Sequence, residues 1–131
     1  MKAQVSVEFL MVIGIGIIIV SSYVVYSYHA IYSYKVNTDI SITKDALKKI
    51  SENSNFVFQQ GKPAKHTITI CLPETITECS LNNTVLACYL GDKLIESTSE
   101  INLTGWIPNT SGCYEIKLVA EDNYVNLVKP E

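Results

Sequence analysis

Four cysteines, Cys71, Cys79, Cys88 and Cys113, are the residues of this chain best suited to covalent chemistry. Their spacings of eight, nine and twenty-five residues contain no C-x2-C pair, so a zinc site is not expected. No other metal and no cofactor is implied. An even number of thiols suits disulfides formed in an oxidising compartment. Four cysteines allow three connectivities. Cys79 and Cys88 flank Leu81-Asn82-Asn83-Thr84, a stretch able to turn a hairpin and set the two opposite each other. Cys71 and Cys113 share the outward parity of the strands that contain them. The favoured pairing is therefore Cys79–Cys88 with Cys71–Cys113. Three N-x-S/T sequons, at Asn82, Asn102 and Asn109, lie in the same half of the chain and are candidates for N-glycosylation. Catalysis has no foothold. The two histidines stand 37 residues apart, and neither a glycine-rich phosphate loop, G-x-S-x-G nor H-E-x-x-H occurs. A cysteine nucleophile would leave an odd thiol, so the chain is not expected to be an enzyme.

The charge is unevenly placed along the 131 residues, which carry a net charge of −3. Up to Lys65 there are seven lysines and four acids; from His66 onward there are three lysines and nine acids. An acidic distal half argues against nucleic acid as a partner, because phosphate binding needs a positive footprint. Phe9 to Val20 is twelve residues without a polar side chain, and the apolar segment reaches Tyr26, 18 residues in all. A membrane-spanning helix needs about 20. A cleaved secretory signal would want a small-residue cleavage site after its apolar stretch; here Tyr23 to Tyr34 follows, so the segment is expected to be retained. Lys2 ahead of the run favours a cytoplasmic N-terminus. The cysteines and sequons beyond it place the distal half outside the cell. Tyr23, Tyr26, Tyr28, Tyr32 and Tyr34 fit an aromatic belt at the outer membrane interface, with His29 interfacial among them.

These residues need elements to position them. Val36, Ile40, Thr43, Leu47, Ile50, Ser54 and Val57 recur at spacings of four and three, a heptad seam with two polar interruptions. No Gly or Pro occurs from Ile17 to Gln60. One helix is expected from about Val5 to about Asn55, about 75 Å long, apolar nearly all round at first and amphipathic afterwards. Its second half is expected to lie on the sheet of its own domain; a coiled coil with another chain is the alternative. Gly61-Lys62-Pro63 ends it. Strands are expected over His66–Leu72, with Ile68, Ile70 and Leu72 on one face, over Thr84–Leu90, and over Cys113–Val119, with Tyr114, Ile116 and Leu118 inward. A last strand, Tyr124–Val128, follows the turn at Glu121-Asp122-Asn123. The expected class is α+β: one long N-terminal helix, then a small antiparallel β-sheet or β-sandwich head domain.

One oddity remains, a carboxylate at Glu8 immediately before the apolar run. Gln4-Val5-Ser6-Val7-Glu8-Phe9 matches the Q-x-S-x-E-F pattern, and the chain resembles the archaeal type IV-like pilins that carry a class III signal peptide. The resemblance is specific over about the first 30 residues. A looser likeness joins Gly105-Trp106-Ile107-Pro108 and Gly112-Cys113-Tyr114 to the G-x-I-P…G-x-Y turn of such pilins' sheet domains. It implies that a prepilin peptidase cuts on the cytoplasmic side between Ala3 and Gln4, with Ala3 standing where many members have Gly. The resulting organisation is a leader of residues 1–3, a helix of residues 4–60 and an extracellular head of residues 61–131. It also implies a free amine on Gln4 and an attraction between Glu8 of one subunit and the new N-terminus of a neighbour. A lone ion in hydrocarbon costs ~2.5–3.5 kcal/mol, part of which such pairing recovers; the helix dipole alone would favour Glu8 by about 0.3–1 kcal/mol. The implied partners are identical or related pilin subunits, the peptidase, a pilus assembly ATPase with its membrane platform, and the bilayer before assembly. The implied function is an adhesive extracellular filament with helices inside and sheet domains outside. A minor or tip pilin, and a monomeric single-pass anchored binding protein, are the alternatives.

Overall fold

The computed structural model of this chain describes residues 2–130. One helix, α1, spans Lys2–Gln60. Seven strands follow: β1 Lys65–Leu72, β2 Ile76–Asn82, β3 Val85–Leu90, β4 Lys93–Thr98, β5 Asn102–Gly105, β6 Gly112–Ala120 and β7 Tyr124–Val128. The α+β class is the one the sequence pattern leads to. The helix runs a few residues further at each end than expected, and its stop is chemical. Gly61 adopts φ of 76° and donates its N–H to the Phe58 carbonyl at 3.0 Å, a left-handed cap that any side chain would disfavour.

The chain divides into two compact units, one reaching Asn37 and one beginning at Thr38. The second contains the last part of α1 and both sheets. Its four-stranded sheet has the order β1-β6-β7-β5, and its three-stranded sheet the order β2-β3-β4. All neighbours are antiparallel except β5 and β7, which run parallel. Period-2 alternation turns Ile68, Ile70 and Leu72 of β1 and Ile116 and Leu118 of β6 inward, where all are buried. Cys79, Leu86, Cys88, Leu90 and Ile95 supply the facing layer, and Leu103, Val125 and Leu127 fill the far end. Tyr114, on the same parity as Ile116 and Leu118, is half-buried, its ring edge-on to Trp106 with centroids 6.0 Å apart.

Seam residues Thr43, Leu47, Ile50, Ser54 and Val57 are all buried, joined by Ala46. Ala46, Leu47, Ile50 and Val57 lie in the same core cluster as the sheets, so the second half of α1 serves its own domain. Polar side chains tie it to one edge strand of each sheet. Lys49 Nζ donates to the Thr69 carbonyl of β1 at 2.7 Å, and Ser51 Oγ donates to the Thr98 carbonyl of β4 at 3.4 Å. Thr75 donates to Asp39 Oδ2 at 2.8 Å from the chain that follows β1. On the other flank the edges close on each other. Leu103 N–H of β5 donates to the Asn83 carbonyl at 2.8 Å, and Cys79 N–H of β2 donates to Asn109 Oδ1 at 3.4 Å. Each open edge thus meets hydrogen-bonding groups from elsewhere in the unit, as a free edge requires.

Two positions carry definite costs. Gly105 ends β5 at φ of 111°, and a Cβ there would collide with the Leu127 carbonyl, which also accepts the Trp106 N–H at 2.9 Å. Gly105→Ala is therefore expected to destabilise the head by about 2–3 kcal/mol, read as a lowered denaturation midpoint. Ser54 Oγ, fully buried in the seam, has no hydrogen-bond partner. Removing an unsatisfied buried hydroxyl recovers desolvation free energy, so Ser54→Ala is expected to stabilise by about 1 kcal/mol in the same assay.

Candidate functional site

From Val5 to Tyr34 every large apolar or aromatic side chain of α1 is exposed, from 41% at Ile13 to 78% at Tyr28. The exposed set covers all sides of the helix, because Phe9 to Val20 offers no polar residue at any angle. Burying an aliphatic or aromatic side chain of this size is worth about 1.5–3 kcal/mol. Ten such side chains between Phe9 and Val20 represent on the order of 15–30 kcal/mol. That exceeds the whole stability of a typical domain, about 5–15 kcal/mol. The surface therefore demands an apolar cover. α1 is long and apolar enough to cross a membrane. Its backbone groups are satisfied within the helix, and the Ser22 hydroxyl donates to the Ile18 carbonyl at 2.9 Å, leaving little polar surface to desolvate.

Three details punctuate this surface. Gly14 and Gly16 have nothing within 4 Å of an added Cβ, so no packing within the chain requires them. Two residues apart on a helix, they open notches on nearly opposite sides, about 200° apart. Tyr23, Tyr26, Tyr28, Tyr32 and Tyr34 are all exposed; at about 100° per residue Tyr23, Tyr26 and Tyr34 fall on one side of the helix and Tyr28 and Tyr32 on the other. Ala3, Gln4 and Glu8 are helical and exposed at its start, with Gln4 and Glu8 one turn apart on one face. Among the described residues Glu8 forms no ion pair. Met1 of the expected leader lies outside the described residues.

In the head, Cys71 and Cys113 are direct partners across β1 and β6, and Cys79 and Cys88 are direct partners across β2 and β3; both pairs are disulfide-bonded. The Cys71–Cys113 bridge lies on the outer face with both residues exposed, whereas Cys79 and Cys88 are core residues at 4% and 0% exposure. The three sequon asparagines are exposed. Asn82 ends β2 before the turn at Asn83, where φ is 50°; Asn102 begins β5; Asn109 lies in the loop before β6 with its amide oxygen engaged by β2. Trp106, beside Gly105, has Lys129 Nζ 5.5 Å above its ring. Neither that contact nor the Asn109 cap has a signal in the sequence, since each joins segments distant along the chain. Comparison with family profiles, with curated proteins and with solved structures finds no match.

The two disulfides differ in accessibility and in loop length. A 42-residue separation corresponds to about 4 kcal/mol of chain-entropy stabilisation for Cys71–Cys113, and a nine-residue one to about 2.5 kcal/mol for Cys79–Cys88. Under native conditions a water-soluble phosphine is expected to open Cys71–Cys113 alone, with Cys79–Cys88 yielding only on unfolding. Alkylation followed by peptide mass spectrometry reads the order; simultaneous labelling of all four thiols would contradict it.

Proposed function

We propose that this chain is the structural subunit of an archaeal type IV-like pilus. It is inserted in the membrane as a precursor with a cytoplasmic N-terminus and an external head. It is cut before Gln4 and then assembled with copies of itself into an extracellular adhesive filament. The observation that carries the reading is Glu8, which among the described residues has no ion-pair partner and stands just before a stretch of helix, Phe9–Val20, that is exposed and apolar on every side. In a plain membrane anchor only the helix dipole, worth about 0.3–1 kcal/mol, favours it. In a filament it has a partner: the amine freed at Gln4 of an adjoining subunit is a cation of the right charge, and pairing the two fixes the axial offset of neighbouring helices.

Lipid tails and sister helices are equally apolar covers for Phe9–Tyr26, so transfer from one to the other leaves the hydrophobic term nearly unchanged. The choice between them then rests on packing and on the Glu8 pair. Gly14 and Gly16 supply close approach on two sides, as a helix surrounded by neighbours needs. A contact between unlike patches that does not close into a ring propagates as an open helical array. The exposed disulfide and the braced sheet edges suit a head that works outside the cell without pairing strands with its neighbours.

Protein sheared from the cell surface is expected to begin at Gln4 by N-terminal sequencing and to sediment as filaments. Glu8→Leu is expected to be inserted and cut normally. Its recovery in filaments should fall by about tenfold or more, corresponding to ~1.4 kcal/mol per added subunit. A monomeric, lipid-anchored protein that begins at Met1 would overturn the proposal.

A further inference from the structure

We propose that Asn102 carries an N-linked glycan whose first sugar stacks on Tyr124, so that the modification is part of the head's fold. The inference rests on the reading that the head lies outside the cell. β5 and β7 pair in parallel with Asn102 opposite Tyr124, Leu103 opposite Val125 and Thr104 opposite Asn126. Leu103 and Val125 are buried at 1% and 0% exposure. Alternation then puts Asn102, Thr104 and Tyr124 together on the outer face, on strands about 4.8 Å apart. Tyr124 is 39% exposed and belongs to neither of the aromatic ring pairs among the described residues. β5 is the outermost strand of its sheet, and the contact beyond it is made by its backbone, Leu103 N–H to the Asn83 carbonyl.

The other two sequons lack this arrangement. Asn109 already gives its amide oxygen to the Cys79 N–H. Asn82 faces Val85 across its hairpin, with no ring opposite. At Asn102 both parts of the N-x-T signal, the carboxamide and the Thr104 hydroxyl two residues on, stand on one exposed face. The donor is a sugar carried on a polyprenyl phosphate or diphosphate. Nδ2 of Asn102 bonds to the sugar C1, the C1–O bond to the phosphate breaks, the phosphate leaves with the electron pair, and the amide loses one proton. The attached ring then lays its C–H face on the flat, polarisable face of Tyr124, while the phenol tip stays in water.

Glycopeptide mass spectrometry of the full-length protein from its native cells tests the site. Asn102 is expected to be the most fully occupied of the three sequons, and Thr104→Val is expected to empty it. Thermal unfolding tests the platform. Thr104→Val should lower the head's midpoint by about 4 °C in the native background and by about 1 °C or less in Tyr124→Ala, with Asn102→Gln giving the same pattern. Equal losses in both backgrounds would overturn the stacking role. A glycan on Asn82 or Asn109 with Asn102 empty would overturn the site and leave the external head standing. Three empty sequons on a head that added protease digests on intact cells would also overturn the site alone. Three empty sequons on a protected head would overturn the site together with the external location.

Discussion

Between Phe9 and Val20 the helix has no polar side to turn toward water, and all its large apolar side chains are exposed. That constraint ranks above every local detail. The hydrophobic cost of leaving those side chains wet, on the order of tens of kcal/mol, is larger than any cap, ion pair or disulfide in the molecule can offset. An element of this kind needs lipid, or other helices of the same character. In the filament we propose, the features at its start decide between the two. There the Gln4 amine and Glu8 of adjoining chains are proposed to set the register, and Gly14 and Gly16, which have nothing within 4 Å of an added Cβ, leave room for a neighbouring helix.

The head answers a different problem. A unit that begins at Thr38 is small, and small domains bury a modest fraction of their surface. It gains core from the second half of α1, whose buried seam joins the hydrophobic layer between the sheets. It gains rigidity from two cross-strand disulfides, one within each sheet. The helix also caps two open strand edges through Lys49 and Ser51, while β2 and β5 close the opposite flank. The seam residues therefore hold the domain together where a coiled coil with another chain would have left the sheets short of cover. Thr43 keeps its hydroxyl satisfied by the Asp39 carbonyl one turn back, at 2.9 Å; Ser54 has no such partner.

Legibility in the sequence followed the strength of each periodic signal. The long helix was readable because Gly and Pro are missing from Ile17 to Gln60 and because apolar residues recur every three or four positions. β1 and β6 were readable because seven or more residues alternate strictly. β5 was not: it has four residues and a single inward one, Leu103, too few for alternation to register. Its parallel pairing with β7 was hidden for a further reason. The partners lie some twenty residues apart with β6 between them, and no local pattern encodes such a crossover. The juxtaposition of Asn102 and Tyr124 was therefore invisible, although the sequon itself was plain. Strand parity gave the side of the sheet on which Tyr114 lies but not that it is only half-buried there. Glu8 was conspicuous for the opposite reason, as a charge where the pattern has no place for one.

Electron cryomicroscopy of filaments sheared from intact cells tests the central claim most directly. The account predicts a helical array whose dry interior is built from Phe9–Tyr26 of many copies, with the Glu8 carboxylate within ion-pair distance of the Gln4 amine of an adjoining subunit. Filaments absent, or an interior built from some other chain while this protein stays dispersed in lipid, would contradict it.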